Sequence, residues 1–217
     1  MRDTTAPVGD DVAAGMKRRT ILAGAAWSVP VIAVATASPA FAATTTCPTI
    51  NTDSSWTRSH KGDTGDGAFD TIDGRRVFSV TTDNTAPVNS GQHAYAWMTT
   101  NIQVEAGKTY TFTYDLEGNY GNYSKTTSSP ADASWYIDDS RVSSNYGTQP
   151  SRTGADTQIP IQERRSDSRP WKTYTFSYKA TETKTVALKW MVDLSDRSGS
   201  EVGTDDVHVS LPTVSCS

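Results

Sequence analysis

From residue 76 onward, apolar and polar side chains alternate in short runs. Residues 108–116 read KTYTFTYDL, with Tyr110, Phe112, Tyr114 and Leu116 on one side and threonines on the other. That period of two is the pattern of a half-buried strand. Residues 172–179 (KTYTFSYK) repeat it, and residues 185–194 (TVALKWMVDL) line up Val186, Leu188, Trp190, Val192 and Leu194. Val207, Val209 and Leu211 form a last alternating run, and residues 76–82, 93–104 and 133–137 are shorter candidates. The flanks of the two TYTF segments do not match, so they read as two strands under one demand and not as a repeat. Tyr110, Phe112, Tyr174, Phe176 and Trp190 belong to the expected core. Trp97 and Trp135 fit either core or edge, and Trp56 is undecided.

The intervals between these runs are rich in Gly, Asn, Ser, Thr, Asp and Pro, the chemistry of turns and surface loops. Three are long: residues 61–75 (KGDTGDGAFDTIDGR), 117–132 (EGNYGNYSKTTSSPAD) and 143–158 (SSNYGTQPSRTGADTQ). The second and third flank a short strand and a turn at Asp138-Asp139, which would crowd both at one end of the fold. No helical period of any length is present. Many strands without helices predict an all-β protein, an antiparallel β-sandwich of jelly-roll type.

The first 42 residues stand apart from this pattern. Lys17-Arg18-Arg19 precedes a weakly apolar run to Ala37, and small residues stand at Ala40 and Ala42. A basic start, an apolar middle and a small-residue end describe a secretory signal over residues 1–42, with one domain in residues 43–217. Arg18-Arg19 followed by two apolar residues after one spacer resembles a twin-arginine signal; a general secretory signal with an incidental arginine pair is the alternative. The run is shorter than a membrane span and carries Pro30. The expected location is therefore secreted, in the medium or at the cell surface.

Charge and cysteine content sharpen this picture. The full chain carries 20 Lys+Arg and 24 Asp+Glu. Four basic and three acidic residues fall in the signal, which leaves 16 against 21 in residues 43–217. A mildly acidic domain without a basic run is a poor partner for nucleic acid. Cys47 and Cys216 are the only two cysteines. In an exported chain they read as one disulfide, which would set the first and last strands side by side.

The C-terminal half resembles the galactose-binding-like jelly rolls of extracellular carbohydrate-binding modules. The similarity covers residues 102–212 and rests on a Trp-started aromatic strand (171–178), an apolar strand (186–194), a polar Gly-containing loop, and Asp205-Asp206-Val207. Val104-Glu105-Ala106-Gly107-Lys108-Thr109-Tyr110 is similar to the strand entry of that family, whereas Thr204 departs from its apolar residue before the acidic pair. The resemblance implies a structural calcium where an N-terminal loop meets the last strand. Asp205 and Asp206 with Asp63, Asp66, Asp70 and Asp73 would supply its oxygens. Strand parity puts Asp205 on the buried side of Val207, Val209 and Leu211, as the ligand, and Asp206 on the other side as a solvated turn residue; a solvated acidic turn without metal is the alternative.

A sugar-binding surface combines aromatic faces with amides and carboxylates. Tyr120, Tyr123 and Tyr146, beside Asn119, Asn122 and Asn145, are the loop residues with that chemistry. Little points to catalysis. His60, His93 and His208 lack zinc-ligand spacing, no GxSxG turn occurs, and His208 is expected to face outward on the last strand. The expected activity is thus glycan binding without catalysis, directed at cell-wall or matrix glycans. A structural or adhesive surface protein that binds protein partners is the alternative.

Overall fold

The computed structural model describes residues 47–217, so the export segment lies outside the described residues. Ten strands carry the fold: β1 (Thr57–Lys61), β2 (Ala68–Ile72), β3 (Arg75–Val80), β4 (Ala94–Val104), β5 (Thr109–Asn119), β6 (Ala131–Ile137), β7 (Lys172–Lys179), β8 (Lys184–Leu194), β9 (Asp206–Ser210) and β10 (Thr213–Cys216). One sheet runs β1-β4-β8-β6 and continues through the short strands Tyr146–Gly147 and Thr157–Gln158. The other is built on β5. Strand β7 takes one edge of β5, β9 and β10 share the other, and β3 and β2 follow β9. The long strands cross repeatedly between sheets, β4 to β5, β5 to β6 and β7 to β8 to β9. That crossing makes the protein an antiparallel β-sandwich of the jelly-roll kind.

The period-two pattern is what closes the sandwich. Met98, Trp135, Leu188 and Trp190 from the first sheet meet Phe78, Phe112, Tyr114, Leu116 and Val209 from the second in one core. Trp135 lies 5.5 Å from Tyr114 and 5.8 Å from Phe176, ring to ring, and Trp190 lies 6.1 Å from Tyr114. Each large side chain buried here contributes about 1.5–3 kcal/mol. The alanines Ala94, Ala96, Ala131 and Ala133 leave room for these rings. Tyr114 and Tyr146 satisfy each other inside the core through hydroxyls 2.8 Å apart, and burial drives both phenols above their ordinary pKa.

Several expectations change. Residues 61–75 are not one loop, because β2 and β3 form a hairpin there around Asp73 and Gly74, both at positive φ. An Asp-Gly pair between short runs is a type I′ turn signal that the alternation alone did not reveal. Glu117 and Asn119, expected in a loop, end β5, and one helical turn (Pro150–Thr153) interrupts the third loop. Cys47 and Cys216 are bonded, with Cα atoms 5.8 Å apart, yet the first and last strands are not neighbours. Strand β1 pairs with β4 in one sheet and β10 with β5 in the other. The bridge instead ties the extended lead-in before β1 to the last strand. Trp56, buried, anchors that lead-in by donating its indole N–H to Ile50 O at 2.6 Å.

Candidate functional site

The open face of the first sheet carries the strongest site. Along β4 and β8 buried residues alternate with half-buried ones, and the half-buried set faces away from the core. Strand register arranges that set in rows. One row reads Lys61, Tyr95, Asp193, Asp132; the next reads Ser59, Trp97, Met191, Ser134; the third reads Thr57, Thr99, Lys189, Tyr136. Three aromatic residues thus share a sheet face with two carboxylates. A depression of about 400 Å³ is lined by Lys61, Tyr95, Trp97, Lys189 and Met191. A second, of about 430 Å³, includes His93, Asp132, Arg152 and Asp193 in its wall. The two adjoin at the Tyr95–Asp193 pair.

Neighbouring groups hold these side chains in place. His93 stacks on Tyr95 at 6.5 Å and bonds Asp193 Oδ1 through Nδ1 at 2.7 Å. Thr153 Oγ1 donates to Asp132 Oδ1 at 2.8 Å, and Asn145 Nδ2 donates to Oδ2 at 3.2 Å. Burial raises both carboxyl pKa values; for Asp132 the nearby Asp193 adds to the rise. Lys189 bonds Asp139 at 2.5 Å and lies 5.7 Å from the Tyr136 ring, leaving its stem along the groove. The arrangement offers flat aromatic surface beside hydrogen-bond acceptors, with Lys61 at its edge carrying an ammonium that has no ion pair among the described residues.

The residues nominated from the sequence do not assemble into one site. Only Asn145 reaches the open face, as a support for Asp132. Tyr146 is a core residue, 4% exposed, because its alternation places it against Tyr114 and Tyr174. Tyr120 is buried at the start of a tight turn that leaves Asn122 exposed and Tyr123 half-buried, both at positive φ. Asn119 lies on the outer face of the second sheet. Trp97, Tyr95 and Tyr136, which stand on this face, were not nominated from the sequence. Their signal was an aromatic residue on the polar side of an alternating strand.

That outer face holds a second polar group. Register sets Glu117 beside His208 and His208 beside Ser79. His208, expected to face outward, does face away from the core, but it is 2% exposed. Its Nδ1 lies 2.6 Å from Ser79 Oγ, and burial, aided by Arg169, drives its pKa down to about 3. Arg169 pairs with the fully buried Glu117, whose Oε2 has no partner among the described residues. Asp206 is half-buried next to Asn119, not solvated, and burial pushes its carboxyl up to about 7. Ser79 and His208 are spaced like a nucleophile and its base, but both are too enclosed for a substrate to reach.

Asp205 answers differently from Asp206. It is 1% exposed and accepts bonds from Gly121 N at 3.0 Å, Thr148 Oγ1 at 2.6 Å and Gln149 Nε2 at 2.8 Å. The loops on either side of β6 do meet here, around its carboxylate. Calcium requires oxygen acceptors, whereas this carboxylate is surrounded by donors, so the residues do not fit the ion. The Gly/Asp segment supplies none of its partners. Asp63, Asp66, Asp70 and Asp73 are exposed, with Asp66 bonded to His60, Asp70 to Thr71 N, and Asp73 to the Trp171 indole. Among the described residues no three acidic, His or Cys side chains gather as a metal site.

No protein-family model matches the sequence, and no curated protein does. Solved structures show low-level similarity, among them the following three. The enzymatically active domain of tailspike protein 4 from bacteriophage CBA120 is 15% identical over 77% of this chain, with a TM-score of 0.38. This chain spans 20% of that protein's length. The CBM22-1 xylan-binding domain of Paenibacillus barcinonensis Xyn10C is 10% identical, with a TM-score of 0.39, over 76% of this chain and 88% of that one. The C-terminal domain of EclA, a sugar-binding protein, is 12% identical, with a TM-score of 0.37, over 68% and 83%. The fold assignment rests on the strand pairing and on the core shared by the two sheets.

Proposed function

We propose that the protein is an exported, non-catalytic module that binds carbohydrate on the open face of its first sheet, at the cell surface or in the medium. The observation that carries this reading is the lattice of half-buried Tyr95, Trp97 and Tyr136 beside Asp132 and Asp193. Pyranose rings present apolar C–H faces and peripheral hydroxyls. Aromatic surface covers the first, and fixed carboxylates accept from the second. The Cys47–Cys216 bond suits an oxidising, extracytoplasmic setting.

A glycan array followed by titration calorimetry tests the proposal. Covering an aromatic side chain is worth about 1.5–3 kcal/mol, so Trp97→Ala should weaken binding about tenfold to a hundredfold. Tyr123→Ala, outside the lining of both depressions, should leave affinity unchanged. Binding that depends on Tyr123 and ignores Trp97 would overturn the groove. Silence on the array would favour the structural or adhesive reading.

A further inference from the structure

We infer that the acidic end of the groove selects glycans bearing free amino groups, so that the preferred ligand is an ammonium-carrying glucosamine chain and not a neutral or N-acylated one. This rests on the carbohydrate-binding reading above and names the ligand class of the same site.

Asp193 and Asp132 are directly opposed on antiparallel β8 and β6, on the same open face. Like charges in that position repel and destabilise a sheet. Polar neighbours nevertheless fix both: Asp132 by Thr153 and Asn145, Asp193 by His93. Asp193 Oδ2 takes no hydrogen bond among the described residues, and Asp193 lines the second depression together with Asp132. The cations beside the pair are already engaged, Arg152 with Glu201 and Ser128 O, Lys189 with Asp139 and His93 with one oxygen of Asp193, while Lys61 stands on the far side of Tyr95 in the same row. An ammonium between the two carboxylates would relieve their repulsion and make charge-assisted bonds.

The cation would arrive on a sugar because of what lies next to the pair. Tyr95 pairs with Asp193 across β4 and β8, and Trp97 follows on the same face. A pyranose stacked on this shelf would present its ring substituents to Asp193. Aromatic faces also attract cations, which adds to the same preference. An N-acetyl group at that place removes the charge and sets an apolar methyl against two carboxylates.

The test is calorimetric titration of the purified protein with a glucosamine hexamer, its fully N-acetylated counterpart and a neutral glucose hexamer. The expected result is binding of the glucosamine hexamer about tenfold or more tighter than that of the other two. Asp193→Asn should weaken binding of the glucosamine hexamer more than that of the neutral hexamer, so that the difference is erased at an unchanged melting temperature, and Asp132→Asn provides a second variant. Equal binding of amine and amide hexamers overturns the inference, as does a preference that survives both substitutions. Displacement of the glucosamine hexamer by an equal concentration of Nα-acetyl-lysine amide would identify a pocket for amines and not for glycans. If neutral hexamers bind through Trp97 without an amine preference, only this inference falls. If no hexamer binds in a Trp97-dependent way, the groove reading falls with it.

Discussion

Replacing Asp205 by alanine probes the end of the sandwich where three segments converge. The carboxylate accepts from Gly121 N, Thr148 Oγ1 and Gln149 Nε2 at a site that is 1% exposed. Two of these donors have a second acceptor. Thr148 Oγ1 lies 3.3 Å from Ala131 O, and Gln149 Nε2 lies 3.3 Å from Ser128 O. Gly121 N has no such fallback among the described residues, and an orphaned buried donor costs about 1–3 kcal/mol. Loss of two further charge-assisted bonds, partly offset by not having to bury a carboxylate, brings the total to roughly 3–5 kcal/mol. For a domain of this size that corresponds to a melting temperature lower by about 6–20 °C. Urea unfolding followed by tryptophan fluorescence measures it directly, since Trp135 and Trp190 are both fully buried. A loss under 1 kcal/mol would refute the account of Asp205 as an acceptor that closes the loops. So would a wild-type melting temperature that rises with calcium and falls with chelator in an Asp205-dependent way, because that would give its lone pairs to a metal.

Two more perturbations follow from the structure. Cys47→Ser should destabilise the domain by about 2–5 kcal/mol, read as a lower urea midpoint with an altered slope; an unchanged midpoint would show that the lead-in is held by Trp56 and Ile50 alone. Acid and base pull in opposite directions on the outer face of the second sheet. The folded pKa of Asp206, raised from 3.8 to about 7, makes the folded chain the better proton binder, so its contribution falls as pH rises across that window. Burial raises Glu117 in the same direction. His208, lowered from 6.5 to about 3, makes the unfolded chain the better proton binder, so its contribution is present above 6.5 and is lost as pH falls toward 3. Between 3.8 and 6.5 the two oppose, and Asp206→Asn should therefore steepen the gain of stability with pH while His208→Asn should reverse it. Identical pH profiles of urea midpoint for both variants and the parent would contradict this.

The strands of the core were legible in the sequence because burial on one side of a pleat imposes a period of two. Residues 108–116, 172–179 and 185–194 each announced their inner faces, and Tyr110, Phe112, Phe176 and Trp190 stand where that period places them. The same period placed Asp205 on the inner side, where it is buried. Strands without a buried side carried no such mark. All five residues of β1 are exposed, and it takes its place beside β4 through backbone pairing and one side-chain bond, from Thr57 Oγ1 to Thr99 O. Tertiary structure also decided everything that lies across strands. Alternation states that Trp97, Met191 and Ser134 face the same way on their own strands. Only register makes them one row, and only register brings Asp193 opposite Asp132. Loop composition did not foretell burial, since Tyr146 in its Asn/Gly setting is drawn inward by a hydroxyl partner 32 positions away. Local pattern reports which side of an element is wet. A binding face is a property of several elements at once, and it exists only when the sheet has paired.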